Sequence, residues 1–223
     1  MGRSMLNGQT DVVSFAVLLG LLSLIPLIVV TTTSFLKISL VLLVLRNAIG
    51  VQQVPPTLAI YGISLAMSVF IMAPTVQEIG KRVMAVETRN VDVRSAPMME
   101  QAKQAFEPLR DFMLRFSKPE QREIFLNSAK KLWPKDVARE ATSSDVLVLI
   151  PAFVVSELQT GYQIAFLIYI PFVVIDLLIG NLLMALGMQQ VSPQTISIPL
   201  KLLLFVLVDG WGKLLNALAM SYL

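Results

Sequence analysis

Cysteine and histidine are both absent from these 223 residues, and charge is scarce wherever the chain is apolar. The first absence excludes a disulfide framework and a thiolate metal site; the second removes the commonest metal ligand and the usual proton shuttle near neutral pH. Enzymatic readings lose most of their players at once, and the sequence assigns no catalytic residue, no metal ligand set and no cofactor. An intramembrane enzyme would need a nucleophile with a base, and only scattered acids and serines are left for it. Net charge is small as well, +3 from 18 basic and 15 acidic side chains, with the two signs interleaved. That is not the clustered basic surface of a nucleic-acid binder.

What is present in excess is apolar sequence. Hydrophobic residues make up 55% of the chain, and its mean hydropathy is +0.71. Both exceed what a soluble domain of 24.6 kDa carries. The charges are also partitioned, because Glu78 to Asp145 holds about two dozen of the 33 (18 plus 15). No Asp, Glu, Lys or Arg occurs from Val12 to Leu36, Asn47 to Gln77, Val146 to Ser156, Leu158 to Ile175 or Leu177 to Leu200. A helix rising about 1.5 Å per residue needs about 20 apolar residues to cross a hydrocarbon core of about 30 Å, and these runs supply or approach that length.

The pattern predicts an all-α, membrane-type protein in three parts: a first hydrophobic helical hairpin over residues 1–77, a small polar helical domain over 78–145, and a second hydrophobic hairpin with the tail over 146–223. The first helix is expected from near Asp11 to Leu45. Its apolar run is too long for a secretory signal core of about 7 to 15 residues, and Thr31-Thr32-Thr33-Ser34 offers no Ala-x-Ala-like cleavage site, so it reads as a retained helix. Pro26, the threonines and Lys37 interrupt it. A lone lysine in a membrane either meets a protein partner or snorkels to an interface, and both readings stand at this point.

Gly50 to Pro56 should break the chain, with a glycine cap followed by two prolines that cannot continue a helix. A second helix follows from about Thr57 to Gln77, with Gly62, Ser64, Ala66 and Ser68 suited to close helix approach. From Pro97 the apolar residues Met98, Met99, Ala102, Ala105, Phe106, Leu109, Phe112, Met113 and Phe116 trace one helical stripe, which Pro108 should kink or split. Core packing is the plain reading of that stripe. Ser117 and Glu120 have capping-box spacing around Pro119, and the next helix should stop near Trp133 before Pro134. The second apolar half starts near Asp145, turns at Gly187 to Pro193, and contains two lone acids, Glu157 and Asp176, each facing a polar partner or marking a membrane edge. Asp209 to Lys213 looks like such an edge, with Trp211 at the interface. Two hairpins would put both ends and the central segment on one side. Charge bias does not choose the side, because segments longer than about 60 residues escape the positive-inside rule.

Six ordered blocks carry a resemblance: Thr33-Ser-Phe-Leu-Lys37; Leu45-Arg-Asn-Ala-Ile-Gly-Val-Gln-Gln-Val-Pro-Pro56; Phe70-Ile-Met-Ala-Pro74; Leu149-Ile-Pro-Ala-Phe-Val-Val-Ser-Glu-Leu158; Tyr169-Ile-Pro-Phe-Val-Val-Ile-Asp-Leu177; and Val191-Ser-Pro through Asp-Gly-Trp211. Together they resemble the R component of the type III secretion export apparatus, the counterpart of the flagellar P protein, over nearly the whole chain. The uncleaved first helix and the Gly50 to Pro56 block look more like the injectisome branch than the flagellar one.

The resemblance implies a conical homopentamer in the bacterial inner membrane, its central domain facing the periplasm. It implies joining by the S and T export components, then the U and V components, around a portal for unfolded exported proteins. Helices lifted largely out of lipid in such a cone would tolerate prolines and lone charges where the neighbour is protein. The resemblance also implies two closures. One is a gasket at Met188, Gln189 and Gln190, where many relatives carry three successive methionines and this chain keeps only the first. The other is a plug at Phe112, Met113 and Phe116. Lys37, Glu157 and Asp176 are the expected buried charges of the assembled state. Membrane lipid is a further expected contact, and an ordinary four-helix transporter or channel protomer spanning it would explain the same hydropathy and the buried Lys37, Glu157 and Asp176.

Overall fold

The computed structural model describes residues 15, 19–20, 22–51, 54–88 and 98–223. The expected helix start near Asp11, the loop residues Gln52 and Gln53, and Pro97 lie outside the described residues, as do the side chains of Met98, Met99 and Ala102. Nine helices and no strand are found among the described residues: α1 (Ile25–Thr32), α2 (Phe35–Ile49), α3 (Thr57–Thr88), α4 (Met98–Phe116), α5 (Pro119–Leu132), α6 (Lys135–Glu140), α7 (Val146–Ala185), α8 (Pro193–Leu207) and α9 (Gly210–Met220).

The first apolar run is not one helix ending at Leu45. It breaks at Thr33–Ser34, where α1 and α2 diverge by 78°, and α2 continues to Ile49. The cause is local. The hydroxyls of Thr31, Thr32 and Thr33 donate to the carbonyls of Leu27, Ile28 and Val29 at 2.8, 2.7 and 2.6 Å, and such back-bonding competes with the helix ladder and bends it. At the other end Gly50 closes α2 in the left-handed region, φ 92°, its N–H reaching the Asn47 carbonyl at 3.1 Å.

Two other expectations needed correction. The second helix does not stop at Gln77 but runs through Pro74 to Thr88, its charged end held by the i,i+4 pair Glu78–Arg82 at 3.3 Å. Of the kink or split expected at Pro108, α4 shows no split and is continuous across it. No capping box forms at Ser117, whose hydroxyl donates to the Leu114 carbonyl at 3.2 Å. Lys118 is the N-cap residue of α5, Pro119 follows in its first turn, and the Lys118 N–H donates to Ser156 Oγ on α7 at 2.8 Å. A tertiary bond thus ties the start of α5 to α7.

α7 is continuous for 40 residues despite Pro151 and Pro171, about 60 Å of helix against the roughly 30 Å of a hydrocarbon core. α3 and α7 are each long and apolar enough to cross a membrane, and the bent pairs α1–α2 and α8–α9 also pass if each is counted as one span. The α8–α9 bend of 63° turns on Asp209, which lies in the left-handed region at φ 53°. Trp211, expected at a membrane edge, is half-buried with its ring edge-on to Phe205, centroids 5.4 Å apart.

α2 is the innermost element, packing most extensively against α7 and also against α3. Ile38, Val41, Leu42 and Leu45 from α2 form one core with Ile60, Ala165, Phe172 and Leu218. The central helices lie on the apolar ones: α4 runs along α3 and α7, and α5 along α7. A second core gathers there from Met72, Phe112, Met113, Leu149, Phe153 and Tyr222.

Candidate functional site

Lys37 on α2 is 2% exposed, so it does not snorkel. Its ammonium lies 3.4 Å from Glu157 Oε1 on α7, and Glu157 is equally buried. The second carboxylate oxygen accepts a hydrogen bond from the Tyr222 hydroxyl, and the Lys37 ammonium stands 3.5 Å from the centroid of the Tyr222 ring. Both carboxylate oxygens therefore have partners, and the cation has an anion and a π face. Burying two charges costs several kcal/mol per ion in round terms, and only such full satisfaction offsets it.

The surrounding sequence makes the close approach possible. Gly161, one turn beyond Glu157, leaves room for Leu40 and for the Lys37 stem. At the α1–α2 break, Ser34 donates to Ser68 Oγ and Ser68 donates to Thr33 Oγ1, both at 3.1 Å, tying the break to α3. Ser64 and Ser68 face inward, whereas Gly62 and Ala66 are exposed.

A second pair lies further along α7. Lys201 on α8 is 3% exposed and places its ammonium 2.5 Å from Asp176 Oδ2 and 3.1 Å from the Ala48 carbonyl of α2. The Asp176 side chain is 44% exposed, so this pair has one open side. Neither pair includes a nucleophile, and among the described residues no three potential ligands gather closely enough to hold a metal ion. The arrangement joins helices that enclose it.

Phe112 and Met113 are buried, and Phe116 is packed against the same core. Phe112 lies 4.9 Å from Phe116, and 5.9 Å from Phe153 and from Tyr222, between ring centroids. The Gly187 to Pro193 loop is the opposite case. Gly187 ends α7 at φ 72°, with its N–H on the Met184 carbonyl and the Met188 N–H on the Leu183 carbonyl, the paired bonds of a Schellman end. This turns Met188, Gln189 and Gln190 outward, all exposed, beside a hollow of about 220 Å³ lined in part by Leu183, Met184 and Val191. A larger cleft of about 780 Å³ between α4, α6 and the start of α7 contains none of these residues.

Sequence reasoning missed Lys201 and Tyr222. Lys201 carried the signal that identified Lys37, a lone cation inside an apolar helix, but sat just past a charge-free run. Tyr222 carried none, because nothing local tells a tyrosine that closes an ion pair from one that packs.

A family model described as "FliP family" matches residues 18–218. The chain is 52% identical over 210 residues to the harpin secretion protein HrpW of Pseudomonas syringae pv. syringae, covering 93% of this chain and 99% of that protein. It is 47% identical over 216 residues to the harpin secretion protein HrcR of Erwinia amylovora, covering 96% and 98%. With the Yop proteins translocation protein R of Yersinia pestis the identity is 43% over 212 residues, covering 95% and 97%.

Proposed function

The chain belongs to the FliP family and is a type III secretion apparatus component, and from that premise we propose that it builds the portal through which unfolded proteins leave the cytoplasm. In this reading several copies, a homopentamer by resemblance, form a cone in the bacterial inner membrane with the S and T components, and the U and V components join them. Each copy contributes two kinked helical hairpins, residues 1–77 and 146–223, and the segment 78–145 faces the periplasm. It acts as a structural conduit without catalysing a reaction.

One observation carries the reading: the polarity of the copy is inverted. Within the apolar helices α2, α7 and α8 the charges Lys37, Glu157 and Lys201 are inside, while Tyr162, Phe166, Leu167, Leu177 and Leu178 of α7 are outside. α7 is about twice the length that lipid alone would cover. Apolar helix beyond the hydrocarbon zone needs protein neighbours, which further copies supply. A ring of neighbours would also leave the exposed Met188 to Gln190 loops free to converge on an axis.

Native mass spectrometry and cryo-electron microscopy of the detergent-extracted particle test this. The expected result is a closed conical oligomer. A stable monomer that still restores secretion, or a small bilayer-spanning particle with a defined solute flux, would replace the portal with the transporter reading.

A further inference from the structure

We infer that residues 221–223 form a two-sided clasp that couples the buried Lys37–Glu157 pair to the seat of α4. On one side, the Tyr222 hydroxyl donates to Glu157 and lies 3.5 Å from the Ser34 carbonyl, while the Lys37 ammonium stands over the ring. On the other side, the same ring stacks on Phe112 at an interplanar angle of 16° and meets Phe116 edge-on, centroids 4.9 Å apart. Beside it the Arg115 guanidinium donates to the Leu223 main-chain oxygen. Phe112, Arg115 and Phe116 all belong to α4, whereas Lys37 and Glu157 belong to α2 and α7.

The clasp is itself anchored. The N–H groups of Ser221, Tyr222 and Leu223 donate to the carbonyls of Ala217, Ala219 and Met220 at 3.0, 3.1 and 3.2 Å, and the Ser221 hydroxyl donates to the Leu218 carbonyl at 2.7 Å. Tyr222 is 8% exposed, so its ring has no free volume in which to move alone. A hydroxyl held by the carboxylate fixes where the far end of the ring sits, and the ring's position sets where the two phenylalanines can pack on it. Whatever loosens the pair then loosens α4, and whatever lifts α4 loosens the pair by the same factor, because a coupling free energy is reciprocal. Among the described residues α4 is also fastened by Phe112 on Phe153, by the Arg82 guanidinium donating to the Gln104 carbonyl at 3.1 Å, and by the Arg122 guanidinium of α5 donating to the Leu114 carbonyl at 2.9 Å.

The absence of cysteine from these 223 residues allows a direct test on this chain in detergent, and the readout lies within one copy and does not depend on assembly. Met113, 2% exposed on α4, is replaced by cysteine, and its labelling by a water-soluble maleimide reports lifting of α4. Cysteine at the buried Ala129 of α5 reports general unfolding. Glu157→Gln is expected to raise labelling at 113 by about tenfold while 129 stays protected. In a Tyr222→Phe background, which keeps the ring and removes the hydroxyl, Glu157→Gln should add nothing further. Tyr222→Leu, which removes the stack, should raise labelling at 113 whether or not Glu157 is intact. Equal labelling at 113 and 129 would mean that the segment supports the whole chain rather than seating α4. An unchanged response to Glu157→Gln in the Tyr222→Phe background would mean that the pair and α4 are not joined through Tyr222. Either result overturns the coupling.

Discussion

Gly161 and Leu40 lie so close that a methyl group on Gly161 would stand 2.9 Å from Leu40 Cδ2. The same methyl would be 3.5 Å from Lys37 Cγ, so this glycine sets the distance at which the buried lysine meets α7. Gly161→Ala involves two opposed effects: a gain of about 0.5 to 1 kcal/mol from helix propensity, and a similar cost in moving a flexible leucine tip. Its net effect should be close to zero. Gly161→Leu has no such relief, and overpacking of this kind costs about 1 to 3 kcal/mol. Thermal melting of the detergent-solubilised protein distinguishes the two, and a Gly161→Leu chain as stable as its parent would show that α2 and α7 can separate without loss.

Removing either member of the Lys37–Glu157 pair should be worse than removing both. A single substitution leaves an uncompensated charge in a site with 2% exposure on each side, at a cost of about 3 to 5 kcal/mol. Lys37→Met with Glu157→Leu keeps apolar volume and leaves no charge, and should recover most of the loss. Melting temperatures and the yield of folded protein check this, with expression level as the control. Two additive single effects would place the residues in separate environments.

The second pair should behave asymmetrically. Lys201 is enclosed, whereas the Asp176 side chain is 44% exposed. Asp176→Asn strands a buried ammonium with the Ala48 carbonyl and a neutral amide for company. Lys201→Met leaves a carboxylate that can still turn outward to water. We expect Asp176→Asn to cost at least about 1 to 2 kcal/mol more than Lys201→Met, since a charged group with one free face avoids most of the burial penalty. Equal costs would mean that Asp176 is covered in the working protein, which a neighbouring copy could do.

Much of this fold was legible because charge and apolar runs are so sharply separated in the sequence. The helical class, the glycine-proline break after Ile49 and the stop at Trp133 all follow from local chemistry. The errors fall into two kinds, some where the outcome depended on a distant neighbour and some where local bonding outweighed the hydropathy pattern. Ser117 had the spacing of a cap, but its hydroxyl turns back to the Leu114 carbonyl, and Lys118, whose N–H is held by Ser156 of α7, becomes the N-cap residue. Three threonines in a row looked like an irregularity within one helix, and their back-bonding was enough to break it. Glu157 and Asp176 drew notice as acids in apolar runs, yet their partners lie 120 and 25 positions away (157 minus 37, and 201 minus 176), beyond the reach of any local pattern.

The last expectation concerns Met188, Gln189 and Gln190, which rests on the portal reading. The Schellman end of α7 fixes where this loop leaves the helix, and its three side chains project outward from there. In a ring of copies such loops would meet at the axis, where sealing and passage make opposed demands. A flexible thioether can close around a passing chain of any sequence without holding it, and the two amides make this ring more polar than three methionines would. Deleting residues 188–190, or introducing Met188→Asp, should widen or wet the constriction and let small ions leak while the assembly survives, because an apolar constriction conducts once water fills it. Gln189→Met with Gln190→Met should keep the seal. Conductance of the reconstituted complex decides the point. A deletion as tight to ions as the parent would put the closure elsewhere, and the clasped residues Phe112 to Phe116 would be the next to open, by releasing α4 rather than by deleting a loop.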